Sequence, residues 1–325
     1  MRNEAPPRGK MSRSSFLSDP FFVVGAERSG STVLRLMLDH HPQISCPHEY
    51  DFAIAFMGAD GRLPEVEAYR LFLQQNGVFR RSGFEIDPSL DYLELQRSFL
   101  EQRRRGRPIV GGTVHLHFSR LLRIWPSARM IHLVRDPRAV ALSVVERGWA
   151  GNAWAGSARW VEAEREWDLV CHEVPPDRRI EVRYEDLLRD PPSELARICA
   201  FLGVRYDAAM LRYPENSTYT APDPGLVERW RSVLSPRDQG LVDARAAPWL
   251  ERRGYEWSEC PMVEPSAWGR ARLRLQDRLG RARFATRRLG PGLYFEYWLA
   301  RRLGLDRWRG RVEERVRTVK ARYVK

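Results

Sequence analysis

Residues 21–39 constrain this chain more than any other stretch. Phe21–Gly25 (FFVVG) is a short apolar run that stops at a glycine, the pattern of a buried strand. Gly25-Ala-Glu-Arg-Ser-Gly-Ser-Thr32 follows, small and polar around two glycines. Ser31–Asp39 then places Val33, Leu34, Leu36, Met37 and Leu38 in a helical pattern, and Pro42 lies just beyond its end. A strand that turns through such a loop into a helix aims backbone N–H groups and the positive helix end at one spot, which is a cradle for an anion.

Strand and helix patterns alternate behind this unit. Pro108–Gly111 (PIVG), Arg129–Val134 (RMIHLV) and Arg179–Tyr184 read as short buried strands. Pro64–Gln75, Leu90–Arg104, Pro137–Arg147, Ala153–Val170 and Ser193–Phe201 read as helices. This alternation predicts an α/β protein of three layers, with a central parallel sheet covered on both faces. Pro214–Gly225 is rich in turn formers and predicts a loop, after which helical spacing runs from Leu226 to about Arg253. No internal repeat is evident.

No run of eighteen apolar residues occurs, so no membrane-spanning helix is expected. Residues 1–17 lack an apolar signal core and read as a disordered leader. The four cysteines form no CxxC pair, which argues against a zinc site or a disulfide scaffold and fits a reducing, cytoplasmic setting. No metal-ligand spacing is visible, and no metal is expected.

The formal charge of +12 is unevenly placed. Ser266–Lys325 holds 18 Lys+Arg against 5 Asp+Glu, nearly all of the basic residues being arginine. The chain thus divides into a main domain over 18–262 and an arginine-rich, helical C-terminal extension over 263–325. Leucines and aromatics interleave with the arginines there. Such a stretch suits peripheral docking on an anionic membrane surface or grip on an acidic acceptor such as a polysaccharide; equally, it suits two helices packed on the core with arginines in solvent. No nucleic-acid module is present, and no nucleic-acid partner is expected.

The loop Gly25–Thr32 has almost the spacing of the nucleotide-triphosphate loop GxxxxGK[ST], but Ser31 stands at the lysine position and Arg28 brings the charge earlier. That disfavours γ-phosphate transfer and suits a 5′-phosphate bearing another group. A second constellation is Met130–Ser143. Arg135 ends a strand and Ser143 lies in the next helix, so a guanidinium and a hydroxyl can take two sides of one phosphate.

Arg28-Ser29-Gly30-Ser31-Thr32 with His41-Pro42, together with Arg135 and Ser143, resembles the family of sulfotransferases that use PAPS (3′-phosphoadenosine 5′-phosphosulfate). Arginine at the first loop position resembles the branch of the tyrosylprotein sulfotransferases and many bacterial relatives. The resemblance covers roughly residues 18–257. It implies transfer of a sulfuryl group from PAPS to an acceptor hydroxyl, which is tyrosyl, glycan, lipid or small-molecule. It places the 5′-phosphosulfate on Arg28, Ser29, Gly30, Ser31 and Thr32 and the 3′-phosphate on Arg135 and Ser143. Val182-Arg-Tyr184-Glu-Asp186-Leu resembles a nucleotide-lining segment, and Glu228-Arg229-Trp230 a basic-Trp element that closes over the donor, with Arg229 as a phosphate contact. The alternatives are a nucleotide kinase of similar architecture and a protein that binds PAPS or its desulfated product without catalysis.

Transfer to a hydroxyl needs a base and cations on the departing phosphate. The resemblance to the tyrosylprotein branch makes Glu49 the base, with His48 beside it. His115 is the rival. Thr113-Val-His115-Leu-His117 alternates as if both imidazoles shared one side of a strand, and the cytosolic small-molecule branch uses a histidine after a Lys-Thr pair. Here the pair is Gly112-Thr113, so the family lysine is missing and Arg28 or Arg229 must replace it.

Overall fold

The computed structural model describes residues 19–321, apart from 59, 220–222, 224, 226, 304 and 305. The leader 1–17 and part of the 214–225 loop lie outside the described residues. Five strands form one sheet: β1 Phe21–Val24, β2 Ile44–Ser45, β3 Ile109–Val114, β4 Arg129–Val134 and β5 Arg179–Arg183. Their order is β2-β3-β1-β4-β5, and every pair is parallel. All four residues of β1 are buried, as a central strand with helices on both faces requires. Alternation divides them: Phe22 and Val24 join one core with Tyr50, Trp125 and Trp160, while Phe21 and Val23 join the other with Leu34, Met37 and Ile198.

The chain leaves β1 toward β2 on one side, and β3 and β4 flank β1 on opposite sides. The crevice beyond the carboxyl end of β1 is therefore a topological switch point, where α/β sheets bind ligands.

The helix Ser31–Asp39 and strand β4 have the predicted bounds. Four patterns come out differently. The PIVG strand continues past Gly111 through Gly112 to Val114, and position 111 requires glycine, since a side chain there would meet the Phe21 carbonyl oxygen at 2.3 Å. The predicted helix 153–170 is two helices, Ala153–Gly156 and Ala158–Glu173. The stretch 226–253 holds Arg229–Val233, then Pro236–Ala246 restarted by a Ser235 cap, then a short 3₁₀ turn. The predicted loop from Pro214 begins inside a 3₁₀ helix, Ala208–Asn216.

The extension is helical, with Ala267–Leu289, Pro291–Leu303 and Asp306–Ala321. The first of these docks on the 148–152 loop. Asp277 accepts the Gly151 N–H at 2.8 Å, and the Leu273 carbonyl accepts from Asn152 at 2.8 Å. Phe284 lies against Gly148, and a Cβ on Gly280 would sit 2.6 Å from the Gly151 Cα. No helix among the described residues is long and apolar enough to cross a membrane.

Beneath β4, His132 is fully buried between Glu164 and Glu181, 3.2 Å from each, and stacks on Trp167. Burial pushes its pKa down, but the two carboxylates outweigh burial and hold it above its ordinary value of 6.5. The stabilisation from this ion cluster is thus full below the unfolded-state pKa and is lost as pH climbs through the raised folded value. The urea midpoint should fall as pH rises above the ordinary histidine value of 6.5, and His132→Gln should flatten that slope.

Candidate donor and acceptor site

The site assembles at the carboxyl end of β1. Gly30 has a left-handed backbone (φ 94°) and starts the first helix, and no side chain caps that helix. Its positive end therefore faces the loop unneutralised. Ser29 is 1% exposed, and its Oγ has no hydrogen-bond partner among the described residues. A buried hydroxyl left unpaired is costly unless a ligand satisfies it. The Tyr184 ring closes over the loop: a Cβ on Gly30 would lie 2.1 Å from it. Only glycine combines that approach with that backbone.

Arg28 is a second left-handed residue (φ 73°) and not a glycine. The conformation is disfavoured for a side chain of this kind and recurs where function over-determines the backbone. It turns the Arg28 Nε toward Ser143, to which it donates at 3.1 Å. Arg135 donates to the Arg28 carbonyl at 3.1 Å and holds its guanidinium 4.7 Å from the Tyr184 ring centroid. Four predicted donor-site residues from three parts of the chain thus meet at one point. Burial, with repulsion from Arg147 and Arg135, moves the Arg28 pKa below the usual arginine range. Cations crowded in this way are better satisfied by a multiply charged anion than by water.

The Arg-Asp-Pro-Arg turn is rigid. Asp136 caps the helix Pro137–Glu146 and binds Arg138, which is 1% exposed, lies 4.0 Å from the Trp230 ring centroid and pairs with Asp243. Trp160 donates its ring N–H to the Arg135 carbonyl at 2.8 Å. Arg138 is therefore structural, while Arg135 is left to face the crevice. Arg135, Ser143, Arg229 and Trp230 line one cleft of about 280 Å³. Arg229 does reach this cleft, at its exposed side, where it pairs with Glu146.

Two further residues at the site carried no sequence signal. The Trp149 ring centroid lies 5.8 Å from the Arg28 guanidinium and 5.2 Å from that of Arg159. Arg159 also pairs with Glu27 of the loop. Cation–π contacts of this kind depend on chain packing, and no local motif announces them.

The candidate bases lie beside β3. Glu49 bridges Thr113 in parallel register, and its side chain is exposed. His48 is pushed down to about 4, by burial first and then by Arg35, so it is neutral at pH 7. His115 is 8% exposed. Its Nδ1 lies 3.1 Å from the Gly25 carbonyl oxygen, and its Nε2 is 3.4 Å from the Ser31 hydroxyl. Asp51 accepts its backbone N–H at 2.8 Å. The two histidines do not share a strand face: β3 stops at Val114, and His117 turns left-handed (φ 51°) toward Glu166. Thr32 stands in the first turn of the helix, partly buried.

A sequence profile described as the sulfotransferase family matches residues 20–208. Protein-tyrosine sulfotransferase A of Caenorhabditis elegans is 24% identical over 276 residues, covering 78% of this chain and 70% of that protein. The omega-hydroxy-beta-dihydromenaquinone-9 sulfotransferase of Mycobacterium tuberculosis is 29% identical over 240 residues, covering 67% of this chain and 58% of that protein. Among solved structures, the sulfotransferase domain of the Synechococcus PCC 7002 olefin synthase superposes with a TM-score of 0.56 at 23% identity, covering 78% of this chain and all of that one. That likeness shows the shared α/β fold.

Proposed function

The chain belongs to the sulfotransferase family, and from that premise we propose how its side chains divide the work of moving a sulfuryl group from PAPS to an acceptor hydroxyl. PAPS brings the activated sulfuryl group; the protein binds it, orients it and takes the acceptor proton. Ser29, Gly30, Ser31 and Thr32 hold the 5′-phosphosulfate with backbone N–H groups and hydroxyls at the helix N-terminus. Arg135 and Ser143 hold the 3′-phosphate, Tyr184 walls the nucleotide, and Arg229 closes the outer edge of the cleft. Arg28 serves as the cation on the departing phosphate in place of the family lysine missing before Thr113.

Glu49 is the general base in this reading. His115 has both ring nitrogens turned to the loop, toward the Gly25 carbonyl and the Ser31 hydroxyl. It acts as a brace for the anion cradle. Glu49 is exposed at the same end of the sheet, where an acceptor hydroxyl can reach it.

The Arg28–Ser143 hydrogen bond carries the proposal, because it ties the two donor motifs into one site. A nucleotide kinase is disfavoured by Ser31 at the position of the phosphate-loop lysine. Isothermal titration tests the reading. Desulfated donor, 3′-phosphoadenosine 5′-phosphate, should bind on the order of micromolar, with ATP and magnesium much weaker. Preference for ATP would sink the donor assignment. Tight bisphosphate binding without turnover on any hydroxyl acceptor would leave a binding protein instead.

A further inference from the structure

The helix Ala267–Leu289 has two faces with different assignments. Leu273, Asp277, Gly280 and Phe284 recur at intervals of four, three and four residues and meet the 148–152 loop. Trp268, Arg272, Leu275, Leu279 and Arg283 recur at intervals of four, three, four and four, roughly 140° around the helix from the docked row. This second row is exposed throughout: Trp268 is 84%, Leu275 56% and Leu279 61% accessible. Apolar side chains this large, in a row on one helix face, are an interaction surface.

Charge identifies the partner. The only acidic residue of this helix is Asp277, and it is turned inward to the Gly151 N–H. The outer row is flanked by exposed arginines, Arg272, Arg278 and Arg283, with no carboxylate among them. Tryptophan and leucine between arginines is the composition of a helix lying in a headgroup plane: the apolar side chains enter the acyl boundary while guanidinium groups stay with the lipid phosphates. From Trp268 to Arg283 the row is about 23 Å long on a helix of 23 residues. The following helix repeats the pairing, with Phe295 and Trp298 exposed and stacked and Arg302 over Trp298. A free acidic glycan would use the arginines but leaves the apolar row unexplained.

We propose that the outer face of the helix Ala267–Leu289 docks the protein on an anionic lipid bilayer, lying in its surface and not crossing it. The inner face grips the loop that follows the helix carrying Ser143.

The test is co-sedimentation of the full chain with phosphatidylcholine vesicles, with and without about one-third phosphatidylserine. Binding should appear only with the anionic lipid and weaken at high salt. Leu275→Ser/Leu279→Ser should weaken it at least about tenfold, while the melting temperature stays at the wild-type value and shows an intact fold. The proposal fails if wild type ignores anionic vesicles. It fails also if the double variant binds them as well as wild type does, which is simple polycation adsorption and would be shared with heparin. Self-association of wild type that the double variant loses, without vesicle binding, would give the row to a second copy and overturn it. Because the vesicle arm needs neither donor nor turnover, its result stands apart from that of the donor assignment.

Discussion

Arg28→Ala should abolish measurable sulfuryl transfer and weaken binding of 3′-phosphoadenosine 5′-phosphate by about a thousandfold. The side chain supplies charge-assisted bonds worth about 1.5–3 kcal/mol each, and it joins the two phosphate motifs through Ser143. Its loss removes the bond to Ser143, while Arg135 keeps its bond to the residue 28 carbonyl. Because Arg28 has a left-handed backbone, alanine keeps the strain and loses the contacts that offset it, so a loss of activity alone would confound folding with chemistry. Arg28→Gly separates the two. Glycine relaxes the backbone, so its melting temperature should equal or exceed that of wild type while donor affinity is lost as completely as in the alanine variant. Retained micromolar donor affinity in Arg28→Gly would remove Arg28 from the donor site.

Glu49→Gln should lower turnover by about 10²–10⁴, the usual worth of a positioned base, and leave donor affinity within about twofold. Glutamine keeps the shape and removes the proton acceptor. His115→Ala should behave differently: the imidazole braces the Gly25 carbonyl and the Ser31 hydroxyl, so donor affinity and turnover should fall together. The titration and a single-turnover assay on each variant decide the matter. If Glu49→Gln turns over normally and His115→Ala binds donor normally but does not react, the histidine is the base and Glu49 is an ordinary surface carboxylate.

The elements that carry the candidate donor residues were legible because each is local. Strand, loop and helix follow one another within residues 21–39, and Arg135 and Ser143 sit on a single strand–turn–helix. What was not legible depends on distant neighbours. The strand read as ending at Gly111 runs on to Val114, and the Phe21 carbonyl that leaves no room for a side chain at Gly111 belongs to a strand far away in sequence. His115 and His117 alternate in sequence, but Asp51 fastens the turn between them and sends them apart. Trp149 meets Arg28, and Arg159 meets Glu27, across large separations in sequence. The Arg28–Ser143 bond itself links positions 115 residues apart, and no window along the chain contains both.

The contact between Gly151 and Gly280 bears on how such a chain changes over generations. The Gly280 Cβ position lies 2.6 Å from the Gly151 Cα, and the Gly151 Cβ position lies 2.3 Å from the Asp277 carbonyl oxygen. A methyl on either glycine forces the two backbones apart. Neither partner can shrink to make room, so both positions are held at glycine for as long as the helix stays clasped to the loop. The extension is thus inherited with the loop it clasps, as a lock is inherited with its key, and a lineage that discards one is released from keeping the other.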